Sequence, residues 1–285
     1  LATFAAEIQS TLAVVAFVLA ACAPQSAIPR PPEPSAATNR SPERTTSRLR
    51  IESSPHLALG LPVDADQSDA YLMDKGVFVL SYNRAHHAPN WVAWRLTKDD
   101  LGDEERTNEF RADEDLPTGF LRIKPTDYAR SGYDRGHMCP SAHRTAARDA
   151  NSLTFLMTNM QPQVHALNAG PWKSLETYER ERVAEGKVMF VVAGGIFPAR
   201  PERIGPGIAV PEANFRVTVE LEPGQGPSEV SPETRILGVI MPNNSSAKGR
   251  DWEGFRARID EIEHAAGYDV LSHVKDEIEA LLEAR

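Results

Sequence analysis

Apolar and polar positions divide the 285-residue chain into three stretches. An unbroken apolar run, "LAVVAFVLAA", ends just before Cys22. Residues 23–58 are rich in Pro, Ser, Thr and Arg and nearly free of large apolar side chains. Beyond them apolar residues recur with the periods of regular structure, and no internal repeat is visible. "GVFVLSYN" (Gly76–Asn83) and "WVAWRLT" (Trp91–Thr97), rich in Val, Trp and Tyr, predict strands. "SLTFLMTN" (Ser152–Asn159) reads as a further strand ahead of a turn at Pro162. "PWKSLETYERERVAEG" (Pro171–Gly186) predicts a helix with Pro in its first turn and Gly at its C-terminal end. "KVMFVVAGGIF" (Lys187–Phe197) predicts a buried strand running into a glycine turn. "NFRVTVELE" (Asn214–Glu222) alternates at period two, and "TRILGVIMP" (Thr234–Pro242) predicts another buried strand. Two amphipathic helices, Arg256–Gly267 and His273–Arg285, close the chain. Strands and helices intersperse without a regular βαβ repeat, so the expected class is α+β in one domain, residues 59–285.

The apolar run is shorter than the roughly 20 residues that span a bilayer and fits the core of a secretory signal. Leu19-Ala20-Ala21-Cys22 resembles the lipobox of bacterial lipoproteins, which implies a signal peptide over residues 1–22 and a lipid on Cys22. The leader carries Glu7 and no Lys or Arg, so a plain signal peptide and an apolar leader without a targeting role stay open beside it. Residues 23–58 cannot bury enough surface to offset their ordering entropy and read as a disordered tether. Behind a lipid-anchored cysteine such a tether would lift a domain clear of the membrane. The expected location is the bacterial cell envelope, lipid-anchored, or otherwise the periplasm or the medium.

With 41% hydrophobic residues the chain can build a sizeable core. Two cysteines, Cys22 and Cys139, exclude a disulfide-stapled scaffold. A net charge of −9 counts against a chain-wide grip on nucleic acid, but leaves room for a local basic groove.

The densest chemistry lies in "YDRGHMCPSAH", Tyr133 to His143. It can be a metal cage, a catalytic base beside a phosphate, or a polar loop. His137, Cys139 and His143 would give zinc three ligands, without the paired spacing of structural zinc sites. The residues that follow weigh toward catalysis: Asn159, then Asn168 at the start of the predicted helix, then Glu176 and Arg180. At about 3.6 residues per turn the last three share a broad side, which can face the strand end carrying His137. Plain alternatives stand beside each. Asn168 suits a helix N-cap, Asn159 a turn, Glu176 with Arg180 a helix-surface pair, and Arg135 a structural partner of Asp134. His86 and His87 read as loop residues, Trp172 and Leu175 as core, and Cys139 as a small buried side chain.

Asp134-Arg135-Gly136-His137 with Pro140, followed by Asn159, Pro162-Gln163, Leu167-Asn168, Trp172 and Leu175-Glu176, resembles the DNA/RNA non-specific endonucleases. These are the ββα-metal, or His-Me finger, nucleases, which include secreted bacterial nucleases and mitochondrial endonuclease G. The likeness runs from Tyr82 to the C-terminus. It takes in Arg106, Asn108, Phe110 and Asp113, "VVAGGIF", "VPEANFRV", "VIMPN" and "IDEIEHAAGYDVL". It implies a mainly antiparallel sheet with flanking helices, and a hydrolase cutting DNA and RNA to leave 5′-phosphate and 3′-hydroxyl ends. His137 would be the general base and Asn168 the ligand of Mg²⁺, with Mn²⁺ as a substitute. Glu176 would meet the metal through water or deliver a proton. Arg106, Arg135 and Arg180 would contact phosphate, and Asn159 would support the site. One departure is His143, where bacterial relatives with "CPSADR" carry Asp; it is expected to alter the loop without touching a residue of the chemistry.

Such chemistry suits these residue types. An imidazole, with an ordinary pKa of about 6.5, is free to take a proton at neutral pH. A single neutral ligand suffices for Mg²⁺, which keeps several waters. A turn at Gly136 is expected to bring Arg135 beside His137. Arg106, Arg111, Arg122, Lys124, Arg130, Arg135, Arg144 and Arg148 give the region around the motif a basic bias, expected as one positive groove that reads the backbone and not the bases. The rival reading is an envelope lipoprotein that binds nucleic acid or a protein partner without cutting; the joint presence of His137, Asn168 and Glu176 argues against it.

Overall fold

The computed structural model describes residues 50–64 and 67–284, all within the unit Ser41–Arg285. The expected signal, its Cys22 and most of the tether lie outside the described residues. Ten strands are described: β1 (Ala70–Asp74), β2 (Val79–Asn83), β3 (Ala88–Leu96), β4 (Asp134–His137), β5 (Met160–Gln163), β6 (Val188–Ile196), β7 (Arg203–Ile204), β8 (Ile208–Ala209), β9 (Ala213–Leu221) and β10 (Arg235–Pro242). Six of them form one antiparallel sheet in the order β1-β2-β3-β6-β9-β10, while β4 pairs with β5 and β7 with β8. Helices are α1 (Arg148–Leu153), α2 (Lys173–Ala184), α3 (Ile259–Ala266) and α4 (Asp276–Glu283).

Both faces of the large sheet are covered, which is why its strands are apolar almost throughout. One face gathers Leu80, Val92, Trp94, Val191 and Val239 against Met138, Leu167, Trp172 and Leu175. The other gathers Trp91, Phe190, Phe215, Val217 and Val219 against Leu57, Ile259, Ile262 and Leu282. The period-two pattern of β9 ordinarily marks a face open to water. Here all nine residues of β9 are buried, and the polar set Asn214, Arg216 and Thr218 lies beneath β4, β5 and α2, the elements that carry the site.

Three expectations need correction. Ser152–Asn159 is not a strand: α1 runs into it, a 3₁₀ turn at Met157–Asn159 ends it, and β5 starts only at Met160. Phe155, Leu156 and Met157 are buried, and a short apolar run does not distinguish a strand from a buried irregular segment. The helix read from Pro171 begins at Lys173, preceded by a wide π turn over Asn168–Trp172. Pro171 has no N–H to donate, and Gly170, at φ −100° and ψ −118°, leaves helical angles. Finally, the packed chain starts before residue 59. Leu57 is in the core, and the His56 ring accepts from Arg95 N and meets the Gly76 carbonyl, each at 3.1 Å.

Candidate active site

β4 and β5 run antiparallel, with Asp134 opposite Gln163 and His137 opposite Met160. A strand sends alternate side chains to one face, so Arg135 and His137 point together and Asp134 points away. No turn at Gly136 is needed; the expectation of one is corrected. Glycine is required there for a different reason. A Cβ on Gly136 would meet the Gln163 side chain at 2.2 to 2.6 Å.

The His137 ring is buried against two phenyl rings, edge-to-face with Phe155 at 4.9 Å and tilted to Phe110 at 5.5 Å. Burial, then the cations of Arg106 and Arg135, hold its pKa down at about 3, so it is neutral at pH 7. The Arg135 guanidinium lies over Phe110 at 4.1 Å and makes no side-chain hydrogen bond among the described residues. Arg106 lies over Phe155 at 4.8 Å, donating from Nε to Asn108 Oδ1 and from Nη1 to Ser141 Oγ, both at 2.8 Å.

Asn168 does not cap a helix. Its Nδ2 donates to Asp134 Oδ2 at 2.9 Å, and the same oxygen meets His165 Nδ1 at 2.8 Å. Asp134 is therefore the partner of Asn168 and not of Arg135. With its NH₂ committed, Asn168 has Oδ1 to offer to a cation. The π turn that carries Asn168 is joined to the end of β4 by Trp172, whose indole donates to the His137 carbonyl at 3.1 Å.

Glu176, in the first turn of α2, keeps a side chain that is 14% exposed. Burial pushes its carboxyl up to about 7, with Glu179 adding to the rise and Arg216, Arg180 and Arg106 opposing it. Arg106 thus acts electrostatically on both His137 and Glu176. Arg180 is turned back on its own helix, donating to the Glu176 carbonyl at 3.1 Å and to Thr177 Oγ1 at 2.9 Å. Asn159 is fully buried. Its amide accepts from Cys139 N at 2.9 Å and donates to the Cys139 and Thr154 carbonyls, each at 2.8 Å. With every polar atom spent on backbone, it holds the loop after His137 and cannot reach a substrate.

The zinc alternative is not assembled: among the described residues no three His, Cys, Asp or Glu side chains are placed to share a metal ion. Cys139 is sealed in the core, its thiol pushed up to about 12 by burial. His143 is also fully buried. Its Nδ1 accepts from Trp94 Nε1 at 3.2 Å, so the proton sits on Nε2, which faces the Glu176 carbonyl at 3.2 Å. Contrary to expectation, the departure at this position does touch a residue of the site.

A family model for DNA/RNA non-specific endonucleases matches residues 53–277. The chain belongs to that family. It is 40% identical to a nuclease of Nostoc sp. over 81% of this chain and 86% of the relative. It is 30% identical to human mitochondrial endonuclease G, over 70% and 68% of the two chains. Among solved structures, that of the EndoG/EndoGI complex superposes with a TM-score of 0.66 at 25% identity, covering 79% of this chain and 93% of the other. The protein is accordingly a non-specific endonuclease of DNA and RNA with the ββα-metal fold, β4, β5 and α2 supplying the two strands and the helix.

Sequence reasoning missed several residues of the nuclease site. Asp134 was visible in the motif, but strand alternation alone would have separated it from Arg135. Ser141 stood within the motif and Phe155 soon after it, but nothing in their spacing shows that one binds Arg106 and the other walls the His137 ring. The expected basic groove is also smaller. Arg144 is buried on the Val77 and Arg95 carbonyls, Arg111 holds the Ser152 carbonyl, Arg122 holds Glu114 and the Leu116 carbonyl, and Arg148 pairs with Glu109. Arg106, Lys124, Arg130 and Arg135 remain.

Proposed function

We propose that this nuclease uses His137 as general base and a magnesium ion held by Asn168 directly and by Glu176 through water. The observation that carries the reading is the His137 ring: neutral, walled by two phenyl groups, and flanked by two guanidinium groups suited to a phosphate. Its Nε2 is sealed from solvent with no partner among the described residues, which leaves Nδ1 as the nitrogen open to a water. A base held near pKa 3 would be weak. However, after burial the causes are the cations Arg106 and Arg135, and the single negative charge of a bound phosphodiester offsets part of their effect. Substrate thus raises the basicity of the group that must act on it.

The donor set fits the ion. One amide oxygen, oriented by Asp134, and one carboxylate suit a hard cation that keeps most of its own water, and Mn²⁺ shares that preference for oxygen. When bound, it would stabilise charge on the phosphate oxygens and on the departing 3′ oxygen. Arg135 and Arg106 orient the phosphate. His137 takes the proton of the attacking water as the new P–O bond forms and the bond to the 3′ oxygen breaks. Burial holds the Glu176 carboxyl up at about 7 in the chain alone; beside the cation it would serve as the carboxylate that holds metal-bound water.

Plasmid DNA and RNA digestion by the purified protein tests this. Cleavage with Mg²⁺, its loss with a chelator, and a drop of roughly two to four orders of magnitude in His137→Ala are expected. Tight binding without cutting, or activity supported by zinc alone, refutes it.

A further inference from the structure

Beneath the site, the polar face of β9 carries a full cation into the core. Arg216 is 1% exposed and lies between two indoles, 4.2 Å from the Trp172 ring and 5.4 Å from that of Trp94. Its Nη1 donates to Glu179 Oε2 at 2.8 Å. Its Nη2 donates to the Met138 carbonyl at 3.1 Å and stands 3.8 Å from Glu176 Oε1. Glu179 is equally sealed in, and its other oxygen accepts from Thr218 Oγ1 at 2.7 Å. The neutral His143 closes the cluster, its Nε2 lying 3.7 Å from Glu179.

Stability alone does not explain this arrangement. Desolvation of two buried ions offsets most of their attraction, and an apolar pair of the same volume often holds a core as well or better. The pairing with Glu179 needs Nη1 only. Nη2 is left for two partners that both belong to the site: the carbonyl next to His137, and the carboxylate of Glu176. Trp172, the ring on which Arg216 stacks, donates to the His137 carbonyl itself. Two successive carbonyls at the end of β4 are therefore pinned, one by the guanidinium and one by the indole beside it.

We propose that Arg216 is a positioning residue for phosphodiester cleavage, its fork fixing the end of β4, and with it His137, relative to Glu176 on α2. The proposal rests on the roles given above to His137 and Glu176. Arginine is needed because a single ammonium cannot serve acceptors on α2 and at the end of β4 at once while stacked between two indoles.

Steady-state cleavage of plasmid DNA, with melting temperatures measured beside it, tests the idea. Arg216→Lys keeps a charge opposite Glu179. It is expected to stay folded with KM within about twofold, while kcat falls about tenfold or more. Thr218→Val strips the other donor from Glu179 without touching β4 or Glu176. It is expected to lower the melting temperature and leave kcat within about twofold. In Arg216→Lys/Glu176→Gln the two losses should not multiply, because Arg216 acts through the placement of Glu176. Full kcat in Arg216→Lys, or losses that multiply, overturns the proposal. Should Arg216→Lys fail to fold, Arg216→Met/Glu179→Leu decides the matter, since it replaces the buried ion pair by apolar groups of similar size and removes the fork from Met138 and Glu176. Lower kcat at constant KM supports the pinning, and unchanged kcat overturns it. His137→Ala run in parallel separates the two failures: if it stays active the site reading falls, and if it alone is dead only the role of Arg216 does.

Discussion

Replacing Asn159 by Ala tests how the loop behind His137 is held. The change removes three hydrogen bonds at a site with no solvent, those with Cys139 N, Cys139 O and Thr154 O. Each bond is worth about 1 kcal/mol net, and the stranded Cys139 N–H adds a desolvation penalty of about 1–3 kcal/mol, so the expected cost is about 4–6 kcal/mol. Against a typical domain stability of about 5–15 kcal/mol, that is a large share. Asn159→Asp keeps the bond from Cys139 N but sets a second acceptor against two carbonyls, and should be no better tolerated at neutral pH. Urea unfolding followed by the fluorescence of the buried tryptophans Trp91, Trp94, Trp172 and Trp252 measures the loss directly. Because the clamped residue stands two after His137, kcat of the molecules that remain folded should also fall. A cost below about 1 kcal/mol would mean that the amide is not the clamp described, and the reasoning would fail with it.

Other perturbations follow from the same structure. Lys75 is buried between Asp113 and Asp115, 2.8 Å from each, so Lys75→Met strands the buried Asp113 charge and should cost about 3–5 kcal/mol by denaturant titration. Gly136→Ala drives a methyl group into the Gln163 side chain, with an expected loss of about 1–3 kcal/mol in stability and reduced cleavage; a silent variant would refute the close approach. Glu263, which accepts from Val270 N at 2.8 Å, is pushed up to about 8, first by burial and then by Glu283 and Asp269. The folded state therefore holds a proton that the unfolded chain has already lost, and stability should decline as pH rises from about 4.5 to 8. Melting temperatures across that range should fall, and Glu263→Gln should flatten the slope.

The sequence by itself determined the α+β class and five strands of the large sheet, because Val-, Trp- and Phe-rich runs at strand period have few other ways to be buried. It also determined the motif. Arg135 and His137 with Asn168 and Glu176 were legible through the family resemblance, because β4, the π turn and α2 follow one another along the chain and the motif keeps its order there. Tertiary structure alone decided the rest. The Ser152–Asn159 run looked like a strand because burial from all sides and burial in a sheet leave the same apolar pattern. Arg216 was invisible as part of the site because it lies far from the motif in the chain, and Phe155, between His137 and Asn168, because its role depends on packing against the His137 ring. The alternation of β9 promised one wet face, yet β4, β5 and α2 close over it and turn Arg216 into a buried charge beside the chemistry. A linear pattern records which side of an element is polar, but only the packing of distant elements decides whether that side meets water or an active site.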